Sequence, residues 1–383
     1  MKIEVYSPTI RRKEMDAVLT AMVEEKIGVG DRNRFLIQTA KEQLRFDYAL
    51  ALRSPAVALH LALKALDVKP GQAVVVSALS PRYYIKVIED MQLVPLFCDV
   101  SFEFPCMNRE AIEKVIEEKK EHSQTYAQDS SLSSAPGSAQ VCAIVLHHTL
   151  GFIPNAAAIA ELGIPVIEDI SLSYGSWQNP KEKEKNETEK DESSNAAATA
   201  AVSQFSGVFC ILGLEERDML TSGGGALLFA MNRRDGSVLR NYAGIPGEYC
   251  LPDINAALAI VQFKEVWKNI EKRKSIAGVY NHACLSLAAR TKHKRFIPPV
   301  EGEYNNYSFS LVLETGYKDV SAYARKKEIE VESAFDGTLA AAGLCEKCPV
   351  SNSLVLRTVL FPLYPRLRSQ EAERVSKLIM TLP

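Results

Sequence analysis

Two acidic residues, Glu168 and Asp169, directly follow a short apolar run at 165–167. Such a run is typical of a strand that is buried on both faces of a parallel sheet. Because ligands of open α/β sheets bind beyond the carboxyl ends of the strands, Asp169 is a candidate binding carboxylate. The alternative is that this carboxylate caps the following turn, which is a common role for aspartate.

The segment from Phe209 to Asp218, which precedes three glycines at 223–225, contains neither lysine nor histidine. Its ionisable side chains include Glu215 and Arg217. A glutamate cannot form an imine with a carbonyl compound, and an arginine stays protonated with a pKa above ~12. We therefore predict that this segment supplies no nucleophilic nitrogen.

The elements that position Asp169 are indicated by apolar, β-branched runs that alternate with helical patterns. The predicted strands cover 73–76, 94–98, 141–146 and 165–167, and the predicted helices cover 82–91, 109–118 and 155–162. Repeated β-α-β units of this kind predict an α/β fold with a mostly parallel sheet flanked by helices.

Two polar segments, at 119–140 and 178–203, interrupt this alternation. Neither has enough apolar residues to offset the entropy cost of ordering, so we expect both to be mobile surface insertions. We interpret the lysines of the second segment as a solvated charge run, with a catalytic lysine donated from there as the alternative. These lysines are Lys181, Lys183, Lys185 and Lys190.

The pattern changes from about Trp267 onwards. A long helical pattern covers 270–287, a short strand is predicted at 307–313, and a last helix is predicted at 369–380. We therefore predict a large α/β domain at 1–265 and a smaller C-terminal α+β domain at 266–383.

The composition is that of an ordinary globular protein, with 383 residues, 24% charged residues and a net charge of −2. This charge balance argues against nucleic acid as a partner, and no apolar run reaches the ~20 residues that a membrane span needs. The N-terminus has no signal-peptide pattern, so we expect a cytoplasmic location. Cys345 and Cys348 form a lone C-x-x-C without two further zinc ligands at matching spacing, so we predict no metal site and interpret them as incidental thiols.

Seven segments spread over the chain carry a family resemblance. They are an opening at 7–18, a helix at 58–63, P-x-F-x-D-V at 95–100, V-I-E-D at 166–169, a hinge region at 254–273, and the stretches 349–351 and 360–365. Together they resemble the DegT-type (StrS-type) family of sugar-nucleotide aminotransferases. The resemblance implies fold type I of the pyridoxal-phosphate (PLP) enzymes, with a seven-stranded sheet and a homodimer whose active site lies at the subunit interface.

The resemblance also implies a cofactor site, of which Asp169 would hold the pyridinium nitrogen. The phosphate-binding turn is altered to Ser54-Pro55-Ala56, and Pro55 has no N–H to donate. The alternative for Ser54 is an N-cap followed by proline at the first helical position. Cys210 stands where the family has a phosphate-binding serine.

The lysine that would carry the cofactor aligns with Glu215 or Arg217, so no catalytic residue is assigned. The ring-covering aromatic is replaced by Pro81, with Tyr83 or Tyr84 as possible substitutes. Two further departures are Leu172 in place of glutamine and Glu248 in place of an asparagine from the dimer mate. We expect no PLP binding, or weak PLP binding.

Three hypotheses follow from these departures. The first is a non-catalytic family member that acts as a scaffold, regulatory subunit or partner, as a homodimer or as a heterodimer with an active relative. The second is an active aminotransferase on a keto-sugar nucleotide, with PLP as its cofactor. The third is a pocket that binds a sugar nucleotide or another small anion without PLP, lined by His147, His148 and Tyr174.

Overall fold

A seven-stranded sheet forms the centre of the molecule in the computed structural model, which describes residues 2–129, 140–178, 205–314 and 316–383. Its strands are β1 (Tyr48–Leu52), β2 (Ala73–Ser77), β3 (Val94–Cys98), β4 (Val141–His147), β5 (Val166–Asp169), β7 (Phe209–Gly213) and β8 (Ala226–Ala230). Their spatial order is β1-β8-β7-β5-β4-β2-β3. Only β8 runs against the other strands, pairing antiparallel with both β7 and β1. The predicted mostly parallel sheet is therefore confirmed.

Helices cover both faces of this sheet, because the central strands are apolar on both sides. Val74 and Val76 of β2 belong to one core cluster, whereas Val75 packs on the opposite face with Ile112. The helices are α1 (Arg12–Val23), α2 (Asp31–Leu44), α3 (Pro55–Ala65), α4 (Tyr83–Asp90), α5 (Arg109–Asp129), α6 (Ala156–Ala160), α7 (Arg233–Arg240) and α8 (Asp253–Ala288).

A second, three-stranded sheet lies in the C-terminal part. It has the order β10-β12-β11, from β10 (Phe309–Val312), β11 (Glu332–Ser333) and β12 (Thr358–Phe361). The helices around it are α9 (Tyr317–Lys326), α10 (Pro349–Arg357) and α11 (Ser369–Met380), and a short ribbon joins β6 (Trp177–Gln178) to β9 (Gly302–Glu303). Its core includes Tyr280 from the second half of α8. The predicted boundary between residues 265 and 266 falls inside α8, and the two-domain division stays a prediction.

The structure corrects the prediction for one polar segment. Helix α5 does not end at residue 118 but continues to Asp129, so the first part of 119–140 is helical. Its Glu, Lys and Gln residues have high helix propensity, and no proline or glycine interrupts them before 136. Residues 130–139 and 179–204, with the four lysines of the second segment, lie outside the described residues. Within the described ranges, no helix combines the length and the apolar character that crossing a membrane requires.

Candidate functional site

The carboxyl ends of β4, β5 and β7 meet at one edge of the large sheet. His147, the last residue of β4, pairs in register with Asp169, the last residue of β5. A cavity of about 320 Å³ lies beside this edge. Its polar lining residues include Tyr83, His147, Thr149, Asp169, Ser171, Glu215, Arg217, Asp218, Tyr307 and Thr338. No lysine of the described residues lines this cavity.

Asp169 is buried, and both of its carboxylate oxygens accept hydrogen bonds from the chain itself. Its Oδ2 accepts from the Tyr84 hydroxyl at 2.5 Å and from the Tyr83 hydroxyl at 3.2 Å. Its Oδ1 accepts from the Ser171 amide at 3.1 Å and from the Ser171 hydroxyl. His147 Nδ1 also lies 3.5 Å from Oδ2. A carboxylate offers about four lone-pair sites, so these donors use the acceptor capacity of Asp169.

These contacts hold the pKa of Asp169 well below its ordinary value. Burial opposes ionisation, but the nearby His147 ring, with the hydrogen bonds of Ser171 and Tyr84, outweighs it. Burial and the adjacent Asp169 charge raise the pKa of Tyr83 and of Tyr84 well above 10.0. Near neutral pH, Asp169 is therefore a charged acceptor and both tyrosines are neutral donors.

A second carboxyl group, that of Asp218, faces the same cavity from the β7–β8 connection. Its Oδ2 accepts a hydrogen bond from the Glu215 amide at 2.7 Å. A Cβ at Gly213 would overlap with this carboxyl group and with the Ser171 hydroxyl, so a larger residue there would displace them. Burial raises the pKa of Asp218 from 3.8 to about 8, against the Glu215 amide and with the help of the Asp169 charge. Of these two aspartates in the cavity, Asp169 is therefore charged and Asp218 is largely protonated at neutral pH.

Both residues that align with the absent lysine, Glu215 and Arg217, line the cavity. Arg217 forms a bidentate ion pair with Glu332 of β11, with N–O distances of 2.6 and 3.0 Å. Its guanidinium carbon lies 5.3 Å from the centre of the Tyr6 ring, and its carbonyl accepts a hydrogen bond from Tyr307. Arg217 thus connects the β7–β8 segment to the C-terminal sheet.

The structure places the other two predicted cofactor residues as follows. Ser54 is the N-cap of α3, where its hydroxyl accepts a hydrogen bond from the Val57 amide at 3.3 Å, and Pro55 is the first helical residue. Cys210 lies inside β7, fully buried in the core and outside the cavity lining. Its burial raises its thiol pKa well above 9.0. Of the altered turn Ser54-Pro55-Ala56, only Pro55 lines the cavity.

Neither His148 nor Tyr174, the predicted substrate-pocket residues, lines the cavity, whereas His147 does. His148 is fully buried, with Nδ1 2.7 Å from the Ser173 hydroxyl and Nε2 3.2 Å from Glu168. The Tyr174 hydroxyl donates to Gln43 at 2.5 Å, away from the cavity. The strand register explains the difference between the histidines, because His147 is the residue that pairs with Asp169.

Sequence reasoning missed Ser171 and Asp218 as cavity residues. Asp218 gave no signal, because its position depends on the path of the β7–β8 connection. Ser171 follows Asp169 by two residues, which is the spacing of a side chain that bonds back to its own turn. Within the described residues, no group of three or more His, Cys, Asp or Glu side chains is arranged to hold a metal ion.

The sheet order, the flanking helices and the acidic strand end define a mixed α/β protein with the fold of the PLP-dependent transferases. The chain belongs to the DegT/DnrJ/EryC1/StrS aminotransferase family, whose model matches residues 8–194 and 228–380.

Individual relatives agree with this assignment. The chain is 26% identical over 321 residues to EpsN of Bacillus subtilis (strain 168), whose name describes a PLP-dependent aminotransferase; the match covers 79% of this chain and 72% of EpsN. It is 26% identical over 267 residues to the L-glutamine:2-deoxy-scyllo-inosose aminotransferase of Streptomyces lividus; this match covers 62% of this chain and 53% of that enzyme.

Solved structures share the fold. The aminotransferase TlmJ of Streptoalloteichus hindustanus superimposes with a TM-score of 0.76 at 18% identity, over 99% of this chain and 98% of TlmJ. DesV of S. venezuelae superimposes with a TM-score of 0.78 at 14% identity, over 99% and 98% of the two chains. At these identities the likeness establishes the fold alone.

Proposed function

We propose that this family member does not catalyse transamination by itself and acts as a scaffold, a regulatory subunit or a partner of an active relative. The observation that carries the proposal is the lining of the cavity beside Asp169, which contains no lysine among the described residues. PLP, when bound by an aminotransferase, supplies an electron sink that is held through a lysine imine. Glu215 and Arg217, which align with the position of that lysine, provide no such amine.

The surroundings of Asp169 support the same conclusion. A pyridinium nitrogen needs a free carboxylate lone pair within hydrogen-bond distance. Tyr83, Tyr84 and Ser171 already donate to this carboxylate, and His147 lies beside it. PLP would have to displace at least one of these donors, of which Tyr84 is completely buried. We infer that the present residues fit the cofactor ring poorly.

The charges around the cavity also disfavour a phosphate group. Asp169 is a charged carboxylate in the lining, Glu215 adds another carboxyl group, and the Arg217 guanidinium is already paired with Glu332. The first residue of α3 is Pro55, which lacks the amide that an anion would accept from at that helix N-terminus. An anionic ligand would therefore meet repulsion without a free cation among the described lining residues.

The alternative function is that of an active aminotransferase on a keto-sugar nucleotide. Family membership and the position of Asp169 at a strand end favour it. This alternative requires an amine from elsewhere, because the described lining of the cavity offers none.

For the partner, we propose association with a second copy of this chain through α1, with an active relative as the alternative. Four apolar side chains on this helix are more than half exposed, at positions that follow helical spacing. They are Met15, Leu19, Met22 and Val23. An apolar stripe of this kind is typical of a protein–protein contact.

Assaying the purified protein with added PLP and an amino donor tests the proposed function. L-glutamate and L-glutamine serve as donors, and release of the 2-oxo acid is followed with a coupled dehydrogenase. We expect no release that depends on PLP. PLP-dependent release that rises with protein concentration would favour the alternative, and an active aminotransferase in the same buffer is the control.

A further inference from the structure

The C-x-x-C motif at Cys345 and Cys348 forms a turn directly before α10. The Cys348 amide donates to the Cys345 carbonyl at 3.1 Å, which closes a four-residue turn. In such a turn the first and last Cα atoms lie within ~7 Å, and a disulfide spans Cα distances of roughly 4.4–6.8 Å. The backbone already brings the two residues into the range that a disulfide requires.

The Cys348 thiol donates to the Phe97 carbonyl at 3.9 Å, and the two thiols lie close enough for each to shift the pKa of the other. Both residues are buried, at 2% and 1% exposure, but the turn between them is exposed at Glu346 and Lys347. Leu344, on the other side of Cys345, is 45% exposed. The thiol pair therefore belongs to the main hydrophobic core cluster but lies directly beneath an exposed surface turn.

Cys345 differs from the other seven cysteines, all of which lie in the described residues. Interaction with the neighbouring Cys348 thiol lowers the pKa of Cys345, and the same interaction, together with burial, raises the pKa of Cys348. Each of the remaining six cysteines has a pKa raised mainly by burial. Since the thiolate is the reactive form, Cys345 is the thiol best prepared to react.

Two neighbouring groups oppose this effect. Asp99 lies beside the pair and raises the pKa of both thiols, and Cys98 adds to the shift at Cys348. Asp99 accepts hydrogen bonds from the Val350 and Ser351 amides, so it already occupies the N-terminus of α10. The activation of Cys345 therefore comes from its partner thiol and not from the helix.

We propose that Cys345 and Cys348 are a redox-active dithiol that closes to a disulfide in reaction with a small hydroperoxide. The Cys345 thiolate attacks a peroxide oxygen; an S–O bond forms, the O–O bond breaks, and the leaving oxygen takes a proton. The Cys348 thiol then attacks the Cys345 sulfur; the S–S bond forms, the S–O bond breaks, and the leaving hydroxide takes the Cys348 proton and departs as water. Two thiols are oxidised by two electrons, and with hydrogen peroxide two waters result.

This dithiol is joined to the candidate site by a short piece of chain. Phe335 and Thr338 line the cavity, and the next residues are fixed to the β2–α4 connection. The Leu339 amide donates to the Ser80 carbonyl at 3.1 Å, and the Ala340 amide donates to the Ala78 carbonyl at 2.8 Å. Oxidation would thus add a disulfide in the segment that directly follows the cavity-lining residues Phe335 and Thr338.

The test is oxidation of the reduced, full-length protein with increasing hydrogen peroxide, then alkylation and tryptic digestion without reductant. Trypsin cleaves after Lys347, so only a disulfide holds the Cys345 and Cys348 peptides together. We expect this linked pair to form at lower peroxide than any other thiol modification, and dithiothreitol to reverse it. Cys345→Ser and Cys348→Ser should each abolish it, whereas Cys284→Ser, at a partly exposed thiol, should not.

Two results would overturn the proposal. One is that the pair stays alkylated and unlinked at peroxide concentrations that oxidise Cys284. The other is a Cys98–Cys348 link in place of the Cys345–Cys348 link. Because both are read on the wild-type protein, they do not depend on whether the serine variants fold.

Discussion

Tyr84 is the residue that most directly determines the state of Asp169. Its hydroxyl donates to Oδ2 at 2.5 Å, and both residues are buried. A hydrogen bond to a buried charged group contributes about 1.5–3 kcal/mol. We expect Tyr84→Phe to lower the free energy of unfolding by this amount in urea denaturation at pH 7.

The matched control is Tyr83→Phe. The Tyr83 hydroxyl is 3.2 Å from the same Asp169 oxygen and lines the cavity, where solvent can replace it. The loss of unfolding free energy should therefore be clearly smaller than for Tyr84→Phe. Equal losses for the two variants would contradict the assignment of Tyr84 as the principal donor.

Asp218 should make stability depend on pH. Its folded pKa is raised from 3.8 to about 8, so between these values the folded state keeps a proton that the unfolded state has released. Stability from this group is therefore lost as pH rises through that window, by at most about 1.4 kcal/mol per pH unit. We expect Asp218→Asn, which keeps the carbonyl acceptor for the Glu215 amide, to gain stability over wild type between pH 5 and pH 8.

The measurement is urea denaturation of both proteins at several pH values in this window. A stability difference that does not change with pH would show that Asp218 is already ionised in the folded state.

The place of Asp169 could be predicted from the sequence, because an apolar run followed by an acid marks a buried strand end. Its donors could not. Tyr84 comes from α4, and the sequence pattern shows that this tyrosine is on a helix but not which way it faces. The same limit applies to His147 and His148, since only the register of β4 with β5 decides which of the two faces the cavity.

At the level of elements, α3 begins at Ser54, which caps the helix at the turn where the family resemblance implies phosphate binding. Ser54 accepts a hydrogen bond from the Val57 amide, and Pro55 follows it. Replacing an N-cap serine by alanine costs about 1 kcal/mol. We expect Ser54→Ala to lower the free energy of unfolding by about this amount, and Ser54→Asn, which keeps a capping oxygen, to restore most of it.

This pair of variants separates two roles for Ser54, that of a helix cap and that of a phosphate ligand. Unchanged stability of Ser54→Ala, measured by chemical denaturation, would contradict the capping role.

The strands were the easiest elements to predict, because β2 to β5 are apolar on both faces and bounded by polar residues. The antiparallel direction of β8 could not be predicted, since a buried five-residue run carries no sign of its direction. The polar composition of 119–140 does not by itself predict the full length of α5, because a polar segment can be either a solvated helix or a mobile insertion. High helix propensity was the stronger factor through Asp129.

At the scale of the whole molecule, the exposed apolar stripe on α1 predicts association. Leu19 is 57% exposed and Met22 is 54% exposed. A charge on this stripe would be buried without a partner in the complex, and the free-energy penalty of burying it would exceed the gain from the apolar contact. We expect the wild type to sediment as a dimer and Leu19→Glu to sediment as a monomer with unchanged thermal unfolding at low concentration.

A matched control is Leu285→Glu, at a residue that is 73% exposed on the last turns of α8. It should leave the dimer intact. A wild-type monomer at micromolar concentration, or a dimer that survives Leu19→Glu, would contradict the proposed interface.

The central claim is that the chain forms no imine with PLP, and it is tested most directly by chemical trapping. The purified protein is saturated with PLP, reduced with borohydride and measured as an intact mass, with an active aminotransferase of the same fold treated in parallel. The account predicts only scattered, sub-stoichiometric adducts on exposed lysines of this chain and a stable stoichiometric cofactor adduct for the control enzyme. A stoichiometric adduct on a single lysine peptide of this chain would contradict the claim and identify the lysine that serves in place of Glu215 and Arg217.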